Sequence, residues 1–278
     1  MIEFEKMQYQ HGNHSIVAKW GPRGEDVVTL ASRFLKTLDL LREIDPVFKN
    51  WWFVRGPFDC VPRDQFDCQH LATLIAEHVS RGDDGTPEPE YGFHCTALNN
   101  DDQRSPRSAS LTVRAGNTTP MPPPAFSNSA YLNTDELVPE DTTVFTPDLF
   151  QRALLALTSG WEPTLCMLRS GELLDVDAPP PPIFYPGTLI LPPPQKPKVG
   201  LAWMTYLEPP LAKLVTPPRS AIVERIDNGG LLMIATMERF NVANPEHITV
   251  AREIEVALAA VDAFLWPPDA GRRGGYRH

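Results

Sequence analysis

The chain has 278 residues with 42% hydrophobic and 22% charged side chains, which excludes wholesale disorder and leaves ample length for a sizeable core. Its formal net charge of -10 disfavours a phosphate backbone as partner and favours a basic one. Four cysteines, Cys60, Cys68, Cys95 and Cys166, are too few and too scattered for a disulfide scaffold. No apolar run approaches the roughly 20 residues that span a bilayer. The start, Met1 to Lys6, has no apolar stretch behind a basic one. A cytoplasmic protein is expected, with neither nucleic acid nor membrane among its partners.

In chain order, residues 2–9 and 14–20 read as strands around a His11-Gly12-Asn13 turn. Residues 26–43 predict a helix with Val27, Leu30, Ala31, Phe34, Leu35, Leu38 and Leu41 on one face. It ends at Asp45-Pro46, because the residue before proline avoids the helical region. Phe48 to Val54 reads as a strand or a buried aromatic corner. A second helix is expected over about 65–80, with Asp64 as its N-cap and Leu71, Leu74, Ile75 and Val79 as its buried stripe.

Strands follow at about 91–98, 109–115 and 126–132. Thr146-Pro147 opens a helix with Phe150, Ala153, Leu154 and Leu157 inward and Gly160 as its stop. Further strands are expected at about 163–169, 199–206, 220–226 and 230–236. Asp227-Asn228-Gly229-Gly230 is a tight hairpin signal between the last two. Asn244-Pro245 caps a final helix with Val250, Ile254, Ala257, Leu258, Val261 and Leu265 as its stripe, closed by Pro267-Pro268.

This order predicts an α+β fold, with antiparallel sheets and amphipathic helices packed on them. One domain is expected over 1–270, with possible similar halves 1–140 and 141–270, and a disordered tail from 271. Proline is about twice as frequent as usual. The runs Pro122 to Pro124, Pro179 to Pro182 and Pro192 to Pro194 predict stiff, extended surface loops.

The sequence holds no nucleophile elbow, phosphate-binding loop, dinucleotide fingerprint or zincin motif. Cys60, Cys68, His70, His94 and Cys95 are the richest collection of metal-type ligands, yet their spacing fits no common zinc pattern. Neither metal nor cofactor is expected. An unrecognised enzyme would draw on Cys68, His70, His94 and His247; His247 reads more simply as a first-turn capping residue. Most tryptophans (Trp51, Trp52, Trp161, Trp203 and Trp266) read as core and corner residues.

Acidic stretches are the more informative feature. Asp83, Asp84, Glu88, Glu90, Asp101 and Asp102 fall in a stretch with no Lys or Arg among them until after Asp102. Asp135, Glu136, Glu140 and Asp141 form a second group. Such loops serve solubility; if they converge, they also form a face that captures a basic partner. Tyr91, Phe93 and Tyr131 beside them are the expected anchors. The candidate partner-binding residues are thus Asp83, Asp84, Glu88, Glu90, Tyr91, Asp101, Asp102, Asp135 and Glu136.

Several ordered patterns resemble the immunity protein 52 family of bacterial toxin systems. They are Leu41-Arg42-Glu43-Ile44-Asp45-Pro46-Val47-Phe48 followed by Trp51, and the stretch Val199-Gly200-Leu201-Ala202-Trp203-Met204-Thr205-Tyr206-Leu207. The Gly229-Gly230 hairpin and Phe240 ahead of Asn244-Pro245-Glu246-His247 complete the series. The likeness runs from about 15 to 266, and the proline-rich segment 179–194 is unusual for it. The resemblance implies a non-enzymatic cytoplasmic inhibitor of a cognate toxin. It suggests a restriction-endonuclease-like DNase delivered by type VI secretion, and assigns no contact residues. An enzyme with an unrecognised site and a chaperone or adaptor for a secreted effector are the alternatives.

Overall fold

Ten strands join in one antiparallel sheet, in the order β11-β12-β10-β7-β1-β6-β5-β4-β2-β3, in a computed structural model of the chain. The structure describes residues 14–56, 59–99, 108–120, 126–135, 143–177, 183–185, 188–190 and 200–261. The strands are β1 (His14–Trp20), β2 (Trp52–Gly56), β3 (Asp59–Pro62), β4 (Phe93–Leu98), β5 (Ser108–Ala115) and β6 (Asn128–Asp135). After them come β7 (Leu165–Ser170), β10 (Met204–Leu207), β11 (Ile222–Arg225) and β12 (Leu231–Ile234). β8 (Ile183–Tyr185) and β9 (Thr188–Ile190) pair separately as a hairpin. Among the described residues six helices accompany the sheet, so the fold is α+β, as the element order predicted.

Side-chain capping sets the starts of the four longer helices. Helix α1 (Val27–Ile44) begins where the Asp26 carboxylate accepts from Thr29 N at 2.7 Å. It stops at Asp45, whose extended backbone precedes Pro46 and whose carboxylate then caps a short 3-10 turn, Pro46–Phe48. The aromatic corner is therefore a turn followed by β2. Helix α2 is shorter than the apolar spacing suggested, Cys68–Glu77, and its cap is Asp67, which accepts from His70 N at 2.8 Å. Asp64 lies upstream in a separate 3-10 turn, Arg63–Gln65.

Helix α3 (Pro147–Trp161) has the predicted Thr146 cap and first-turn proline. Gly160 does not end it. The chain leaves at Glu162, in the left-handed conformation at φ 47°, while Gly160 lies inside the helix against Thr37 of α1. Helix α6 (Pro245–Ala259) has the predicted Asn244 cap. α4 (Gly171–Asp177), α5 (Pro209–Ala212), β3, β8 and β9 were not legible in the sequence; all are seven residues or shorter. α6 ends at Ala259, short of the stripe to Leu265 and the Pro267-Pro268 stop that the sequence suggested. The predicted strand 2–9, the proline runs, Leu265 to Pro268 and the tail lie outside the described residues.

Helices α1, α2 and α3 pack on one face of the sheet, with α1 between the other two, α2 against β4, and α3 against β1 and β7. Trp20 of β1 stacks on Trp161 of α3 at 5.6 Å between ring centroids, and Phe34 of α1 meets Trp161 edge-on. Glu25, its side chain only 7% exposed, accepts from Arg23 at 3.0 Å and from Arg33 at 2.6 Å. Those arginines also donate to the Trp161 and Gly160 carbonyls, which ties the start of α1 to the end of α3.

The other face differs between the two ends of the sheet. In β7, β10 and β12 both faces are buried, and the strands read as nearly continuous apolar runs. In β4, β5 and β6 buried and accessible residues alternate. Among the described residues, the alternation, apolar toward the helices and polar away, leaves that part of the sheet open on one side.

Candidate functional site

Five of the residues singled out as partner-binding lie in one well-ordered turn ahead of β4. Asp83, Asp84, Glu90 and Tyr91 are exposed and Glu88 is half-buried. The backbone is pinned by Gly82 N to Thr86 O, Glu88 N to Ser80 O and Ser80 N to Gly92 O, all within 3.0 Å. Gly85, at φ +82°, permits the tight reversal. Asp84 accepts from Thr86 N at 2.9 Å, and that backbone hydrogen bond holds its carboxyl below the usual carboxylate range. Tyr91, 47% exposed, stands at the end of this turn as its aromatic anchor.

The second acidic group does not join them. Asp135 ends β6 opposite Ser108, whereas Gly92 abuts Ala115 at the other end of β5. From Ser108 to Ala115, β5 runs about 23 Å at the usual rise per residue. Asp101, Asp102 and Glu136, like Glu140 and Asp141, lie outside the described residues. Of the other expected anchors, Phe93 is half-buried beside Gly116, and Tyr131 is half-buried on the open face of the sheet. Trp51, Trp161 and Trp203 are buried as expected, Trp52 is half-buried, and Trp266 is outside the described residues.

The residues considered for catalysis or metal binding are dispersed. His94 and Cys95 are neighbours on β4 and so face opposite sides of the sheet. Cys95 is buried among apolar side chains, and burial pushes its thiol up to about 12. Cys68 approaches the Val28 carbonyl, and His70 pairs with Asp67 at the α2 cap. Cys60 sits on edge strand β3. His247 is buried against the Phe240 ring, and its Nδ1 accepts from Asn241 N at 3.1 Å. Among the described residues, no three of His, Cys, Asp or Glu come together to hold a metal ion, and no helix is long and apolar enough to cross a membrane.

Sequence reasoning did not find the open sheet face, which the strand register organises into rows. Lys19, Ser129, Arg114 and His94 face one another across β1, β6, β5 and β4. Val17, Tyr131, Thr112 and Thr96 form the next row, and Ser15, Asn133, Ser110 and Leu98 the third. Ser15 donates to Asn133 at 2.7 Å, and the Thr96 and Thr112 hydroxyls are hydrogen-bonded at 3.1 Å. Arg114 and His94 are exposed, and Lys19 is half-buried over the Phe126 ring. The signal was the alternation itself, since Lys19 and Arg114 occupy its outward positions.

No curated protein matches the chain. Among solved structures, it is similar to Pseudomonas aeruginosa T6SS protein PA0821, with TM-score 0.45 and 9% sequence identity over 88% of this chain and 74% of that one. The sequence model of immunity protein 52 matches residues 14–265, from the first residue of β1 to beyond the end of α6. That match takes in every strand of the ten-stranded sheet and every helix packed on it, and on it the chain belongs to the immunity protein 52 family.

Proposed function

We propose that this protein is an immunity protein that binds a cognate secreted bacterial toxin in the cytoplasm and neutralises it. The observation that carries the reading is family membership over residues 14–265. The proposed toxin is a DNase of the restriction-endonuclease-like class delivered by type VI secretion. A nuclease must attract DNA, so its working face is basic. A protein of net charge -10 with a rigid acidic turn is complementary to such a face.

The proposed contact is the turn carrying Asp83, Asp84, Glu88, Glu90 and Tyr91. Its backbone hydrogen bonds hold the carboxylates in place before the partner arrives, which lowers the ordering cost of binding. Asp101 and Asp102, from the same acidic stretch, and Asp135 and Glu136, from the second group, are the further contacts proposed from sequence.

The test is co-expression with the toxin-domain protein encoded beside this chain, followed by stopped-flow association of the purified pair. Asp83→Lys with Glu90→Lys should slow association about tenfold at low salt and flatten its salt dependence. Asp84→Asn keeps the acceptor for Thr86 N while removing a charge, so it should act in the same direction with the turn intact. An unchanged on-rate removes the turn from the interface, and failure to associate at all overturns the immunity reading. A complex that retains nuclease activity would instead mark a chaperone or adaptor.

A further inference from the structure

The protein is acidic overall, yet the four strands that build the open face contain a single acidic residue, Asp135, at the last position of β6. The cations stand at the other end. Lys19 pairs in register with Ser129, Ser129 with Arg114, and Arg114 with His94, so one row across the sheet carries an ammonium, a guanidinium and an imidazole. Neighbouring strands lie about 4.8 Å apart, which puts Lys19 and Arg114 about 10 Å from one another along the row. Hydroxyl and amide groups of Ser129, Tyr131, Thr112 and Asn133 fill the space beside them and supply hydrogen-bond donors.

Lys19 is the second observation. Its ammonium is half-buried over the Phe126 ring at 5.9 Å. Burial and then the nearby Arg169 guanidinium both work against its charge. Among the described residues no carboxylate forms an ion pair with it. A partly desolvated cation beside another cation is costly in the free chain, and an incoming anion offsets that cost. The half-buried Thr96, Thr112 and Tyr131 row and the Leu98 side chain give the surface contact area for polypeptide beside the charges.

We infer that the open face of β1, β6, β5 and β4 is a docking surface for a carboxylate-rich polypeptide segment, with the Lys19–Arg114 row as its anchor. The row lies at the same end of the sheet as the acidic turn, since Thr118 N donates to Glu90 O and Gly92 abuts Ala115. A partner gripped here meets both charges side by side. The identity of that partner as the toxin rests on the proposed function; the chemistry of the surface does not.

The test uses the full chain and a fluorescein-labelled decaglutamate peptide, titrated by fluorescence anisotropy at low ionic strength. The wild-type chain should bind it. Arg114→Glu, at an exposed position, should weaken binding at least tenfold, and Lys19→Met should do the same. Lys213→Glu and Arg219→Glu, exposed cations elsewhere on the molecule, should leave it unchanged. No binding by the wild type, or equal binding by all five proteins, overturns the inference. Tighter binding of an oligodeoxythymidine of the same length also overturns it, in favour of phosphodiesters. Neutralisation of the toxin is read separately in cells: a chain that binds the peptide but protects no cell loses only the proposed function, and the reverse outcome loses only this surface.

Discussion

Lys19 shows how a single side chain is set by its place in the sheet. In sequence it is one cation among 25 Lys and Arg residues. In the fold it occupies an outward position of a central strand, where burial and Arg169 lower its pKa from 10.5. The native state therefore binds a proton at Lys19 less readily than the unfolded chain does. By linkage its contribution to stability rises as pH increases between the depressed native value and 10.5, because there the unfolded state holds more protons. Below that window the charged ammonium costs stability in full. Lys19→Met should accordingly raise the melting temperature at pH 7, and the gain should shrink as the pH approaches 10.5. Thermal unfolding followed by circular dichroism at pH 7 and pH 10 checks this. A melting temperature lowered equally at both would mean that Lys19 contributes by packing rather than opposing folding by its charge.

At the scale of elements, helix contacts depend on residues whose role is invisible in isolation. Gly160 reads as a helix stop because glycine usually ends helices. It is instead the place where α3 crosses α1 closely, and a Cβ there would collide with the Thr37 hydroxyl. Thr37 is fully buried and donates to the Arg33 carbonyl at 2.8 Å, so displacing its hydroxyl breaks a hydrogen bond in a packed interior. Gly160→Ala should therefore cost about 1–3 kcal/mol despite its better helix propensity, as overpacking does. Chemical denaturation measures the loss, and adding Thr37→Ala should recover part of it. The second helix teaches the same lesson from the other side. Asp64 and Asp67 are equally good caps by residue type; Asp67 holds the position because its carboxylate meets His70 N. The choice between them depends on where β3 delivers the chain, and a local pattern does not contain that.

For the whole molecule, the proposed halves contribute β1 to β6 and then β7 with β10 to β12, and the seam between them is the β1–β7 pairing. Six and four strands thus form one uninterrupted sheet. Trp20 from the first half stacks on Trp161 from the second, and Arg23 and Arg33 reach carbonyls of α3 across the same seam. We therefore propose that the described residues unfold as a single cooperative unit. Differential scanning calorimetry should give one transition whose calorimetric and van't Hoff enthalpies agree; two separable transitions would divide the chain near residue 140.

What the sequence alone determined is the set of features that depend on neighbours in the chain. The α1 and α3 stripes, the α6 stripe from Val250 to Leu258, the Thr146 and Asn244 caps and the Asn228-Gly229 hairpin are local, and each stands where its pattern placed it. The ordered series of local motifs also sufficed to indicate the family. Tertiary structure decided everything that requires two distant segments to meet. It placed the Asp83–Tyr91 turn and Asp135 at opposite ends of the sheet, and put His94 and Cys95 on opposite faces. It aligned Lys19 with Arg114, 95 positions apart in the numbering, through two strand pairings. The physical reason is that capping and amphipathic spacing act over a few residues, whereas strand register is fixed by hydrogen bonds and core packing between segments that the sequence does not order.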